Sequence, residues 1–140
     1  MARARDQSRG TTESIKARSQ RSRGVKRGQA NKYGSRRTEV DGIKFASAME
    51  ARRYQYLKEM EKTGRISDLS LQVRFPFKHD GQLICTYVAD FLYIEDGEPI
   101  VEDVKGRVTP VYAIKRKMMK AFYGKTIREV RDVKGVWEVL

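Results

Sequence analysis

Apolar residues recur along this chain with two different periods, and the change from one to the other maps its elements. Around Ser47 to Thr63 the apolar positions Ala46, Met49, Tyr54, Leu57 and Met60 follow a helical stripe. Ser47 with Glu50 three residues on has the spacing of a capping box, and Gly64 is placed to stop the helix. Beyond it the pattern becomes strand-like. Leu69–Phe77 reads as a first strand, Leu83–Ile94 (LICTYVADFLYI) as a long second one, and Pro99–Lys105 as a third. Asp80-Gly81 and Asp96-Gly97 stand at the joins, where an Asp-Gly pair favours a tight hairpin turn. Thr109-Pro110 then opens a second helix, a cap followed by proline in the first turn. Its apolar stripe is Val111, Ile114, Met118 and Phe122, and Gly124 ends it. Ile127–Val130 and Val136–Leu140 supply one or two closing strands. The predicted fold class is mixed α/β (α+β), an αβββαβ core in which helices flank a mixed sheet.

Upstream of these elements the pattern disappears. From Ala2 to about Lys32 the chain is Arg, Ser, Gly, Gln and Thr with no apolar period, so residues 1–32 are predicted to be a disordered tail and 33–140 a single domain. Charge follows the same division. Residues 1–37 carry 12 Lys/Arg against two acids, a net +10, and residues 38–140 carry 18 against 16, a net +2, which together make the +12 of the chain. A dense cationic arm favours polyanions through counterion release. A merely solubilising tail is the plainer reading. The Arg/Ser-rich composition is also that of an organelle transit peptide, but Ile15 and Val25 are nearly the only large aliphatics and make no amphipathic face.

Composition also narrows the chemistry. No apolar run approaches the ~20 residues of a membrane helix, and no secretory signal is expected. Cys85 and His79 are each the only residue of their kind, which excludes a cysteine-based metal cluster and argues against zinc sites and His-based triads. Chemistry here must come from carboxylates and lysine.

The hairpin at Asp96-Gly97 gives those carboxylates a position. With Glu95 opposite Glu98, partner numbers sum to 193, so Asp90 faces Asp103 across the sheet. Directly opposed residues have Cβ atoms roughly 5 Å apart on one face, and like charges there repel. Lys105, two residues from Asp103, lies on the same face, while Glu102 and Val104 point the other way. Alternation also puts Val88 and Leu92 on the face of Asp90, so exposed surface acids are the weaker reading. A divalent cation would resolve the repulsion, because Mg²⁺ is typically held by one or two carboxylates with waters and phosphate oxygens. A register slip of one residue would undo the pairing.

Asp90 on one strand and Asp103-Val104-Lys105 on the next, preceded by a helical glutamate, resemble the PD-(D/E)xK nuclease signature. The stretch from about Lys32 to Phe122 (KYGSRRTEVDGIKFASAMEARRYQYL, then ISDLSLQ, YVADFLY and VEDVKG) is similar to an uncharacterised phage-encoded family assigned to that superfamily. A bare D…DxK is weak; the ordered set of helix, LQ strand, ADF strand and EDVKG strand is far more specific. Ala89 stands where the proline of the signature would be, a position that supplies no ligand.

The resemblance implies a restriction-endonuclease-like fold and a Mg²⁺-dependent endonuclease, with Mn²⁺ able to substitute. It implies Asp90 and Asp103 as metal ligands, the Val104 carbonyl as a third, and Glu50 as a further metal or water ligand. Lys105 would orient the attacking water or stabilise charge on the phosphate. Glu50 has a competing role in the capping box. Arg53 could pair with Glu50 or approach DNA, Gln72 could line the site, and Lys115, Arg116, Lys117 and Lys120 could contact phosphates. The expected substrate is DNA, with a structure-specific, Holliday-junction-resolvase-like activity, a homodimer and a host-cytoplasmic location. A DNA-end or packaging-linked nuclease is the second enzymatic reading. A non-catalytic basic nucleic-acid binder is the alternative of another class, and it would have no need for Asp90 opposed to Asp103.

Overall fold

The structure, a computed structural model, describes residues 37–140, so the tail expected over 1–32 lies outside the described residues. A short hairpin, β1 (Thr38–Val40) and β2 (Ile43–Phe45), precedes α1 (Ala48–Lys62). The strands β3 (Ile66–His79), β4 (Gln82–Glu95) and β5 (Glu98–Val104) follow, then α2 (Pro110–Tyr123), β6 (Arg128–Val133) and β7 (Val136–Val139). The main sheet is mixed, in the order β3-β4-β5-β6-β7. Only β5 and β6 pair in parallel, the strands that α2 connects, and the other neighbours are antiparallel. None of the helices described is long and apolar enough to cross a membrane.

The turns fix the registers. Asp96 and Gly97 both have positive φ, 51° and 79°, and β4 pairs β5 with Glu95↔Glu98 and Phe91↔Glu102, the register the turn predicts. The same left-handed pair occurs at Asp41-Gly42, joining β1 to β2, and at Lys134-Gly135, joining β6 to β7.

Two clusters make the core, one on each face of the sheet. Ala51, Tyr54 and Leu57 of α1 pack with Phe91, Tyr93, Val104 and Val130. Tyr112 and Met119 of α2 pack with Phe77, Tyr87, Ala89, Val101 and Ile127. In β5 the alternation is regular, with Ile100 and Val104 on the α1 side and Val101 on the α2 side. In the β3–β4 hairpin it is not. Leu71 and its partner Phe91 belong to the α1 side, whereas Phe75 and its partner Tyr87, with Ala89, belong to the α2 side, although all are odd-numbered. Both strands therefore turn over between these pairs, at Gln72 and Asp90. Gln72 carries the distortion in its backbone, with φ +52°, a left-handed conformation inside a strand. This corrects the expectation that Val88, Asp90 and Leu92 share one face. Leu92 packs with the α2 cluster, but so do Tyr87 and Ala89.

A second correction concerns α2. Its expected core stripe is rotated by about one residue. Tyr112 and Met119 are buried, and Met118 is half-buried, while Val111 and Ile114 are 62% and 60% exposed and Phe122 44%. The rotation puts Lys115 toward the sheet, where its Nζ donates to the Thr86 carbonyl at 2.8 Å. Ala46 in the stripe of α1 is likewise exposed, and Ala51 is buried in its place.

Candidate functional site

The β4–β5 ladder stops at Phe91↔Glu102, one pair short of Asp90 and Asp103. Beyond it β4 continues with β3 as its partner, and β5 runs on beside β6, with Asp103↔Glu129 and Val104↔Val130 in register. Where β4 and β5 part, the Asp90 side chain takes over the backbone's work: the Val104 N–H donates to its Oδ2 at 2.9 Å. The overturned strand at Gln72 and Asp90 thus delivers a carboxylate into the fork between two strands. Gln72 Nε2 lies 3.5 Å from Asp90 Oδ1, a long hydrogen bond.

Asp103 is the centre of the arrangement. It is 3% exposed, and its carboxyl group lies close enough to that of Asp90 for each to perturb the other. Burial, then the neighbouring Asp90 charge, push the Asp103 carboxyl up to about 7 from its ordinary 3.8. Asp90 is raised as well, first by burial and then by the charge of Glu50. The Lys105 ammonium lies against Asp103 Oδ2 as an ion pair, and its Nζ sits 3.5 Å from the centre of the Tyr112 ring. That Oδ2 nevertheless takes no hydrogen bond of normal geometry.

Glu50 reaches the same patch from the first turn of α1. Ser47 caps that helix by accepting the Glu50 N–H at 3.1 Å, so the sequence signal for the cap is realised in the backbone. The Glu50 carboxyl in turn bonds the Ala46 backbone and the Ser47 hydroxyl. Burial raises its pKa despite both bonds, and it feels the charges of Asp103 and Lys105. The charge of Glu50 is therefore felt at Asp90, and those of Asp103 and Lys105 at Glu50. Glu50 does not, however, approach the two aspartates closely enough to complete a three-carboxylate cluster.

Several residues fall elsewhere. Arg53 neither pairs with Glu50 nor faces outward. It is 6% exposed and bonds both oxygens of Glu102, at 2.7 and 2.8 Å, between the rings of Tyr56 and Trp137. Glu102, with no exposure at all, also accepts the Tyr93 hydroxyl at 2.5 Å. Glu102 thus points away from Asp103, as alternation requires, but into a buried ion pair beneath α1. Arg116 bonds Glu129, Lys115 holds the Thr86 carbonyl, and Lys117 and Lys120 are exposed on α2.

Three residues that the sequence pattern did not single out surround Asp103 on the α2 side. Glu129 is its register partner, Tyr112 donates its hydroxyl to Glu129 Oε1 at 2.8 Å, and the buried Tyr87 hydroxyl has no hydrogen-bond partner. The charge of Asp103 is, after burial, the largest influence on that Tyr87 hydroxyl. An acid on the same strand face as Ile127, opposite to Val130, was the available signal for Glu129.

Among the described residues no three or more His, Cys, Asp or Glu side chains are gathered closely enough to hold a metal by themselves. Two carboxylates with waters are an ordinary Mg²⁺ set, however, and here two lie close enough to raise each other's affinity for a proton. Two adjacent buried carboxylates whose charge only the single Lys105 ammonium offsets fit a hard cation. Comparison with curated proteins and with solved structures found no match. Residues 30–139 match a protein family, and the chain belongs to it: Protein of unknown function (DUF1064).

Proposed function

We propose that this protein is a Mg²⁺-dependent endodeoxyribonuclease that hydrolyses phosphodiester bonds in DNA. The observation that carries the reading is the pair Asp90 and Asp103, two carboxylates forced together at the fork of β4 and β5, with Lys105 beside them. A fold gains nothing in stability from opposed acids, so their juxtaposition suits a function that needs a cation. Asp90, Asp103 and the Val104 carbonyl would hold Mg²⁺, with Glu50 as a further metal or water ligand. When bound, Mg²⁺ supplies Lewis acidity at the phosphate and lowers the pKa of water. The protein's own part is electrostatic. Asp90 and Asp103 act in their ionised form, and Lys105 offers an ammonium to the negative charge that builds on the phosphate oxygens. Within this class the reading extends to a structure-specific enzyme, resolvase-like, working as a homodimer in a host cytoplasm, because a symmetric four-way junction needs two cuts.

Incubation of the protein with Mg²⁺ or Mn²⁺ and linear, flapped and four-way DNAs tests this directly. Metal-dependent cleavage is expected, lost by on the order of 10³-fold in Asp90→Asn and Asp103→Asn, with DNA binding retained or tightened because a negative charge is removed. Cleavage confined to DNA ends would favour a packaging-linked enzyme. Binding without cleavage under every metal condition would leave the basic, non-catalytic binder as the better account.

A further inference from the structure

We propose that Tyr112 positions Lys105, its ring forming the seat that holds the ammonium in the site. This rests on the nuclease reading for its consequence, though not for its geometry. The Lys105 backbone is tied to β6 by its N–H, which donates to the Val130 carbonyl at 2.8 Å, but its long side-chain stem has many rotamers. Two groups fix where its charge ends. The Asp103 carboxyl lies on one side, and the Tyr112 ring, 3.5 Å from Nζ to its centre, on the other. A cation over a ring face is attracted by the ring's quadrupole, most strongly where water is excluded, and the Lys105 side chain is only 16% exposed.

Tyr112 is itself held at two points, one of them braced by a third residue. Its N–H donates to the Thr109 Oγ1 cap at 3.2 Å, its hydroxyl donates to Glu129 Oε1, and Arg116, one turn along α2, bonds that same oxygen at 2.9 Å. Glu129 is in register with Asp103 on the neighbouring strand, so the ring is referenced to the strand that carries the acid. The arrangement runs from Arg116 through Glu129 and Tyr112 to Lys105 and ends at Asp103. It is also the reason α2 presents Tyr112 to the sheet in preference to Val111.

A tyrosine that only fills the core would not affect Lys105. Two readouts on the full chain separate the roles. The first is the ε-methylene resonance of Lys105 in ¹³C-labelled protein, which a ring at this distance shifts upfield of the other lysines. That shift is expected in the wild type and in Tyr112→Phe, and is expected to vanish in Tyr112→Leu. The second is single-turnover cleavage. Tyr112→Leu is expected to lose roughly 10-fold in rate, the size of a partly desolvated cation–π interaction, with DNA affinity unchanged, and Tyr112→Phe to lose much less. An unshifted Lys105 resonance in the wild type overturns the proposal without any variant, so a poorly folding Tyr112→Leu cannot shelter it. Cleavage by a folded Tyr112→Leu at the wild-type rate overturns it too. A shifted resonance in a protein that cleaves no DNA overturns the nuclease reading and the catalytic consequence with it, leaving only the seat itself.

Discussion

Asp103 has a folded pKa of about 7 against an ordinary 3.8, raised by burial and by Asp90, and the sign of that shift sets a pH dependence. Across this window the folded chain binds a proton that the unfolded chain does not. The stability it contributes is fully present below the unfolded value and is lost as pH rises through about 7. A cation competes with that proton, so Mg²⁺ should stabilise more as pH rises. Thermal unfolding at about pH 5 and about pH 8, with and without Mg²⁺, is expected to show the larger Mg²⁺ shift at the higher pH and none in Asp103→Asn. Equal shifts at both pH values would remove the account in which Mg²⁺ displaces a proton from Asp103. Glu102, next in the chain, is held by a buried ion pair with Arg53. Glu102→Ala leaves the Arg53 guanidinium buried and unpaired, at a cost of about 3 kcal/mol, whereas joint replacement of Arg53 and Glu102 by methionine is expected to be far milder. The metal-induced shift should persist in the folded double variant. Alternation along β5 made the separation of these two acids legible from sequence. That Glu102 is in a buried ion pair was not, because its partner lies 49 residues away on a helix.

At the scale of elements, what was legible depended on whether a local signal fixed it. The Asp-Gly turns, with both residues at positive φ, fixed the registers, and the caps at Ser47 and Thr109 started both helices where the sequence placed them. The phase of α2 had no such anchor. Val111, Ile114, Met118 and Phe122 make a better apolar stripe than Tyr112, Lys115 and Met119, yet the second set faces the sheet. The hydroxyl of Tyr112 and the ammonium of Lys115 find partners there, which a scale of hydrophobicity cannot register. Met119→Ala should therefore cost roughly 2–5 kcal/mol, and Ile114→Lys within about 0.5 kcal/mol of nothing, as read from chemical denaturation. The reverse order would restore the phase read from sequence. The overturned hairpin at Gln72 and Asp90 was beyond pattern reading for a related reason. Period-two alternation assumes a continuous pleat, and a left-handed residue in mid-strand breaks it with no glycine to announce the break.

The molecule as a whole divides by charge, with a net +10 in residues 1–37 and +2 in the remainder. The site itself offers a polyanion little, since Glu50, Asp90 and Asp103 outnumber Lys105. On the proposed nuclease reading, attraction to DNA comes from elsewhere, and the first 31 residues hold nine Lys/Arg against two acids. Those residues also hold almost none of the large apolar side chains a core requires, and the family match begins at residue 30. Deleting residues 1–31 is therefore expected to leave the unfolding transition in place while weakening DNA binding and flattening its salt dependence. For every phosphate the shortened chain no longer neutralises, the slope of log affinity against log salt should fall by roughly 0.9 on duplex DNA. Cleavage at low salt should survive, because affinity there has least need of the tail and the residues of the fork are retained. Affinity measured across a salt series for both lengths of chain decides it. If the shortened protein does not fold, or the slope stays as steep as before, the tail is part of the domain or idle in binding. The boundary between a charged arm and a near-neutral domain would then have to be redrawn.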